Sequence, residues 1–289
     1  MSLKPKRGLI EKFAEGIGLI PKLNFDDEEI LQAMQAAVEA QTLSKNLDTV
    51  MFNDDVQAVV NRTKKEINAY IKSGNLLAAQ TLMYYLRTFY EDTARRDLYE
   101  RWNSQLENVS AELSLLQQYA PKHLHDLKTK RAELLGDDIP EEYNDQAGDN
   151  WRERVEDIEP AMVIRAIDIA TSEHMDNVSW KELIENGLLA IRNLGKMPEI
   201  SETFAKAGEQ SLRNKWINYV DEELAALPEY LKHIPGKRTL IQTLERILAA
   251  NQDAMELPYE VIIREFGDGA MKQLDKYSAI IWPDESRRF

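Results

Sequence analysis

Residues 76–120 read LLAAQTLMYYLRTFYEDTARRDLYERWNSQLENVSAELSLLQQYA. The stretch contains neither proline nor glycine, the two residues that most strongly interrupt a helix. Its second half places Tyr99, Trp102, Leu106, Val109, Leu113, Leu116 and Ala120 at alternating steps of three and four. That spacing puts one apolar stripe along a helix and suits packing against a partner helix. The reading is a single long helix, which would span roughly 65 Å at 1.5 Å per residue. Its first half is aromatic and apolar, from Leu82 to Tyr90. A charged waist follows, with Glu91–Arg95 and Asp97–Arg101 as expected ion pairs one turn apart.

Upstream, Asp26 and Asp27 offer caps for a helix running to about Leu47, with Ile30, Leu31, Met34, Ala37 and Val38 facing inward. A second helix starts near Asn53, buries Val56, Val59, Val60, Ile67, Tyr70 and Ile71, and stops at Gly74. Before them, residues 1–25 form an arm in which Leu9, Ile10, Phe13 and Ile17 share a helical face. Its basic start, MSLKPKRG, precedes no long apolar run, so a secretory signal is not expected. Downstream, Pro121 ends the rod, and Lys122 to Leu135 forms a further short helix.

Residues 136–160, GDDIPEEYNDQAGDNWRERVEDIEP, break the composition. Ten acids stand against two arginines, a net of −8 within a chain whose formal charge is −14. This reads as an acidic linker with a short helix near its end and Trp151 as an anchor on a domain surface.

The second half is punctuated more often. Pro160 opens a helix carrying Met162, Val163, Ile164, Ile167 and Ile169, apolar on most sides and so expected at the centre. Ser179 and Glu182 make a capping box ahead of Trp180, Leu183, Ile184, Leu188, Ile191 and Leu194. Later helices carry Trp216 and Val220, then Leu240 to Leu248, then Val261 to Phe266. A last helix from Asp268 carries Met271, Leu274, Tyr277, Ile280 and Ile281 and is ended by Pro283. No stretch alternates with period two, and no hairpin signal separates β-branched runs.

The expected fold is therefore all-α. An N-terminal arm (1–25) precedes a long-helix bundle (26–135). The acidic linker (136–160) joins it to a compact helical domain (161–282), and a tail (283–289) follows. No run approaches the length of a membrane span. The chain has no cysteine, which removes disulfides, thiolate metal sites and a cysteine nucleophile and suits a reducing, cytoplasmic setting.

Signs of chemistry are few. His123 and His125 point about 200° apart on a helix and cannot share a metal. His174 and His233 stand alone, and no Glu-x-x-His spacing occurs. No phosphate-binding glycine loop or nucleophile elbow is present. No cofactor, catalytic residue or metal ligand is assigned. Acids around Asp168 and Glu173 would serve a divalent-metal enzyme, which is one alternative. The basic residues Lys122, Lys128, Lys130 and Arg131 would serve a nucleic-acid-associated protein, which is another. The leading expectation is a non-enzymatic interaction or assembly protein, an adaptor or a structural subunit of a larger complex, a viral particle included. Its contact residues would be Tyr99, Trp102, Leu106, Val109, Leu113 and Leu116, as domain core or homotypic contact. The carboxylate of Phe289 is a further handle, and a protein partner or a second copy is the expected occupant.

Overall fold

The computed structural model describes residues 27–44, 47–135, 137–144, 150–173, 178–230, 236–272, 274 and 278–287. The arm, His174, His233, Tyr277 and Phe289 lie outside the described residues. The fold is all-helical, and no strand occurs among the described residues. The Cα positions divide the chain into two compact units. One comprises residues up to Ser114 together with Lys122–Tyr143, and the other comprises Leu115–Pro121 with Asn144–Phe289.

In the first unit, α1 (Asp27–Leu43), α2 (Leu47–Met51), α3 (Asp54–Ser73) and α4 (Leu76–Glu91) precede α5 (Arg96–Tyr119) and α6 (Pro121–Leu135). Helix α3 is bounded as its sequence implies. The Asn53 side chain accepts from the amides of Asp55 at 2.9 Å and Val56 at 3.1 Å. Gly74 takes φ 75° and its amide donates to Ile71 O, closing the C-terminus in a conformation that costs glycine little. Helices α1, α3 and α4 pack on one another around Met34, Val56, Val60, Leu86 and Phe89, all buried.

The long rod is not formed. The helix stops at Glu91 and restarts at Arg96. Thr93 makes the break: its hydroxyl donates to Tyr90 O at 2.9 Å and accepts from the Arg95 amide at 3.2 Å. A threonine side chain can replace helical hydrogen bonds in this way without proline or glycine. The two helices then fold back on each other. Gln80 donates to Ser110 at 3.0 Å and Arg87 to Asn103 at 3.1 Å, so positions advancing on α4 meet positions receding on α5. Two helices of about 24 Å and 36 Å replace the 65 Å rod. The charged waist is their turn, and its ion pairs are Arg87–Glu91, Arg95–Asp97 and Arg96–Glu100 rather than those expected.

The second unit contains the last turn of α5, then α7 (Trp151–Val155), α8 (Pro160–Glu173) and α9 (Trp180–Lys196). Two 3₁₀ turns, Pro198–Glu202 and Ala205–Gly208, lead to α10 (Gln210–Tyr230), α11 (Lys237–Gln252), α12 (Tyr259–Met271) and α13 (Pro283–Ser286). The Ser179–Glu182 capping box is present at the start of α9. Trp151 packs edge-on against Phe204, with ring centroids 5.1 Å apart.

The central helix is α12, not α8. Every side chain from Val261 to Phe266 is buried, charged ones included. It packs along α9, and a Cβ added at Gly187 would come within 2.7 Å of the Phe266 ring. Helix α8 buries Val163 and Ile167 but leaves Ile169 47% exposed. The C-terminal end also differs from expectation. Helix α12 runs through Asp268 to Met271, and residues 278–282 form a non-helical strap. Pro283 opens α13 instead of ending a helix, because its fixed φ and missing amide suit a first helical position equally well.

Candidate functional site

Most of the stripe assigned to partner binding lies inside the protein. Trp102, Val109, Leu113 and Leu116 are buried, and Leu106 is half-buried. Tyr99 is half-buried, takes a hydrogen bond from Arg87 at 3.1 Å and lies beneath the Arg96 guanidinium. Of the basic residues on α6, Lys122, Lys128 and Lys130 are exposed and Arg131 is half-buried. At about 100° per residue they point around the whole helix and do not converge on one face. His125 donates to the Glu141 carbonyl at 2.6 Å and stacks obliquely on Tyr143. Asp168 pairs with Lys237 at 3.2 Å. No group of three histidines or acids able to hold a metal occurs among the described residues.

The second unit instead gathers charge around Arg264 in the middle of α12. Arg264, 2% exposed, reaches Asp284 at 2.8 Å, Glu285 at 3.5 Å and Asp268 at 3.7 Å. It also donates to the Arg154 carbonyl and lies against the Trp282 ring. Trp282 donates through Nε1 to Asp268 at 2.6 Å, while Glu285 accepts its backbone amide at 3.2 Å. Arg287 adds pairs to Glu156 at 3.1 Å and Asp157 at 3.0 Å on the chain after α7. Burying a guanidinium is tolerable only when several acceptors face it. The cluster supplies them, and so ties the strap to α12 and α7.

Beside Arg264, Glu265 is buried and accepts from the Tyr119 hydroxyl at 2.8 Å. Burial pushes its carboxyl up to about 7, and the nearby Asp268 adds to the rise. The same burial and the Glu265 carboxyl push the Tyr119 phenol well above its ordinary range. Asp268 is also raised by desolvation, although its hydrogen bond from Trp282 and the nearby Arg264 oppose the change. Glu265 and Tyr119 are enclosed, so they hold the structure together rather than meet a solute, whereas the Asp268 side chain is 43% exposed.

The strap forms one wall of an open groove and α8 forms the other. Met162, Ile169, Met271, Leu274, Ile280 and Pro283 give it an apolar lining, with Arg165, Glu173, Ser278 and Ser286 along the edges. Its volume is about 760 Å³, in the range of sites that hold large ligands or a partner's side chains. Ile281, also on its wall, is 70% exposed.

Sequence reasoning placed Ile169 in a core and Ile281 on a helix, and passed over Arg165, Arg264 and Glu265. Two signals were available. Helix α8 carries more apolar residues than one buried face requires, and the pair Arg264-Glu265 interrupts an otherwise apolar run. Among the described residues, no helix is long and apolar enough to cross a membrane. No family model, curated protein or solved structure matches the chain.

Proposed function

We propose that the chain is a non-enzymatic interaction protein, an adaptor or structural subunit that assembles through the groove of its second unit. The observation that carries this reading is the pair of solvent-facing isoleucines, Ile169 and Ile281, on opposite walls of one apolar groove. Exposed apolar side chains on facing walls gain burial when an occupant arrives. With Ile169 47% and Ile281 70% exposed, covering each contributes about 1–2 kcal/mol, the exposed share of a full isoleucine burial. An amphipathic helix presenting apolar residues three and four apart fits such a groove.

The test is a photo-crosslinking amino acid at position 281, introduced in the native host. Discrete adducts that vanish when excess unlabelled chain is added are expected. A competitor carrying Ile169→Asp should not remove them. Adducts absent, or indifferent to competition, end the assembly reading.

A further inference from the structure

Resting on that reading, the pattern of α8 names an occupant. The α8 residues that line the groove are Met162, Arg165, Ala166, Ile169, Ala170 and Glu173. Their steps of three and one keep them on one helical face. The two charged members of this face lie equally far from Ile169 and are opposite in sign. Ile169 stands at the middle, Arg165 four residues before it and Glu173 four residues after it.

We propose that α8 docks on α8 of a second copy of the chain, antiparallel about a two-fold axis at Ile169, each helix entering the other's groove. In that arrangement residues equally far from the axis face each other. Arg165 of one copy meets Glu173 of the other, and the pair occurs twice. Ile169 meets Ile169 at the centre. Ala166 and Ala170 are small, which allows the helix axes to approach within the ordinary packing distance of about 8–10 Å. A closed two-fold contact of this kind is self-complementary by construction, since the same patch serves both sides. Ile281 on the far wall then covers the incoming helix.

The charges on this face are free to act between copies. Among the described residues neither Arg165 nor Glu173 has an ion-pair partner. Asp168 on the same helix is instead held by Lys237 of its own chain. Parallel docking would place arginine beside arginine and glutamate beside glutamate, so the pattern selects the antiparallel form.

The test uses the purified full chain and sedimentation equilibrium, with circular dichroism confirming that each variant keeps its helix content. The wild type is expected to dimerise at about 100 µM or below, within the reach of a small groove contact. Arg165→Glu alone and Glu173→Arg alone should each weaken self-association by about tenfold, the scale of two exposed pairs lost. An equimolar mixture of those two variants should form a mixed dimer at least as readily as wild type, because every facing pair is again opposite in sign. Ile169→Asp should be monomeric.

A wild type that stays monomeric at that concentration overturns self-docking. A competed adduct to a different protein in the crosslinking test would then leave the assembly reading standing with another occupant. A dimer unmoved by Ile169→Asp, or a mixture no tighter than its components, overturns this surface and places self-association elsewhere.

Discussion

At Glu265 a single proton sets a pH dependence. Its carboxyl is raised from an ordinary 4.5 to about 7, first by burial and then by Asp268. Below about pH 4.5 the carboxyl is protonated in both folded and unfolded chains, and it contributes no slope. Between there and neutrality the unfolded chain releases this proton while the folded chain keeps it. Stability therefore falls as pH rises, and the slope from this residue flattens above about 7. The full loss is about 3 kcal/mol at 1.36 kcal/mol per unit. Glu265→Gln keeps an acceptor for Tyr119 and cannot ionise. The difference between its urea unfolding free energy and that of wild type should shift in the variant's favour from pH 5 to pH 8. A difference that does not change with pH would show that Glu265 is not the titrating group. Arg264 poses the opposite problem, a permanent charge. Arg264→Met leaves Asp284 buried without its partner and should cost about 3–5 kcal/mol in the same measurement. Adding Asp284→Asn should recover part of that loss, because a neutral amide is cheaper to bury than an unpaired carboxylate. Equal losses in the single and double variants would remove the ion pair from the explanation.

At the scale of elements, helix ends were legible where the signal is local. Asn53, Gly74 and the Ser179–Glu182 box each act on their own backbone within a few residues, so residue type and spacing suffice to place them. The break at Thr93 was hidden because a threonine turn leaves no mark in composition, and apolar residues continue on both sides. What settles it is long-range: Arg87 reaching both Tyr99 and Asn103 across the hairpin. Thr93→Val keeps the shape and removes the hydroxyl that bridges Tyr90 and Arg95. It should destabilise the protein by about 1 kcal/mol, the usual value of such a cap, seen as a lower urea midpoint with an unchanged slope. A steeper or shallower slope would mean that the turn itself rearranges. The strap escaped sequence reasoning for a different reason. Ile280 and Ile281 extend the helical stripe of Met271, Leu274 and Tyr277, yet Glu285 caps a new helix at Trp282, and the indole is held by Asp268, a partner that no spacing rule connects to it. The groove depends on that strap, since a helix continued through residues 278–282 would leave no strap to form its second wall.

For the whole molecule, the formal charge of −14 works against the contact proposed at α8. Two such copies repel at long range, while the Arg165–Glu173 pairs attract only at short range. Taken as point charges about 50 Å apart in water, the two copies repel by on the order of 16 kcal/mol before screening. The exposed pairs return about 1 kcal/mol each at most. Repulsion therefore dominates the salt response until the Debye length falls well below the separation. It shortens from about 30 Å at 0.01 M salt to about 8 Å at 0.15 M. Self-association should tighten over that range, the opposite of what a contact made mainly by ion pairs would do. Toward about 1 M salt, where the Debye length is near 3 Å, the facing pairs lose their share and the gain should level off. In Ile169→Asp no salt concentration should restore the dimer, because the missing term is apolar. Sedimentation equilibrium across this series separates the two forces. A dimer that weakens steadily with salt would assign it to charge pairing alone and remove Ile169 from the centre of the contact.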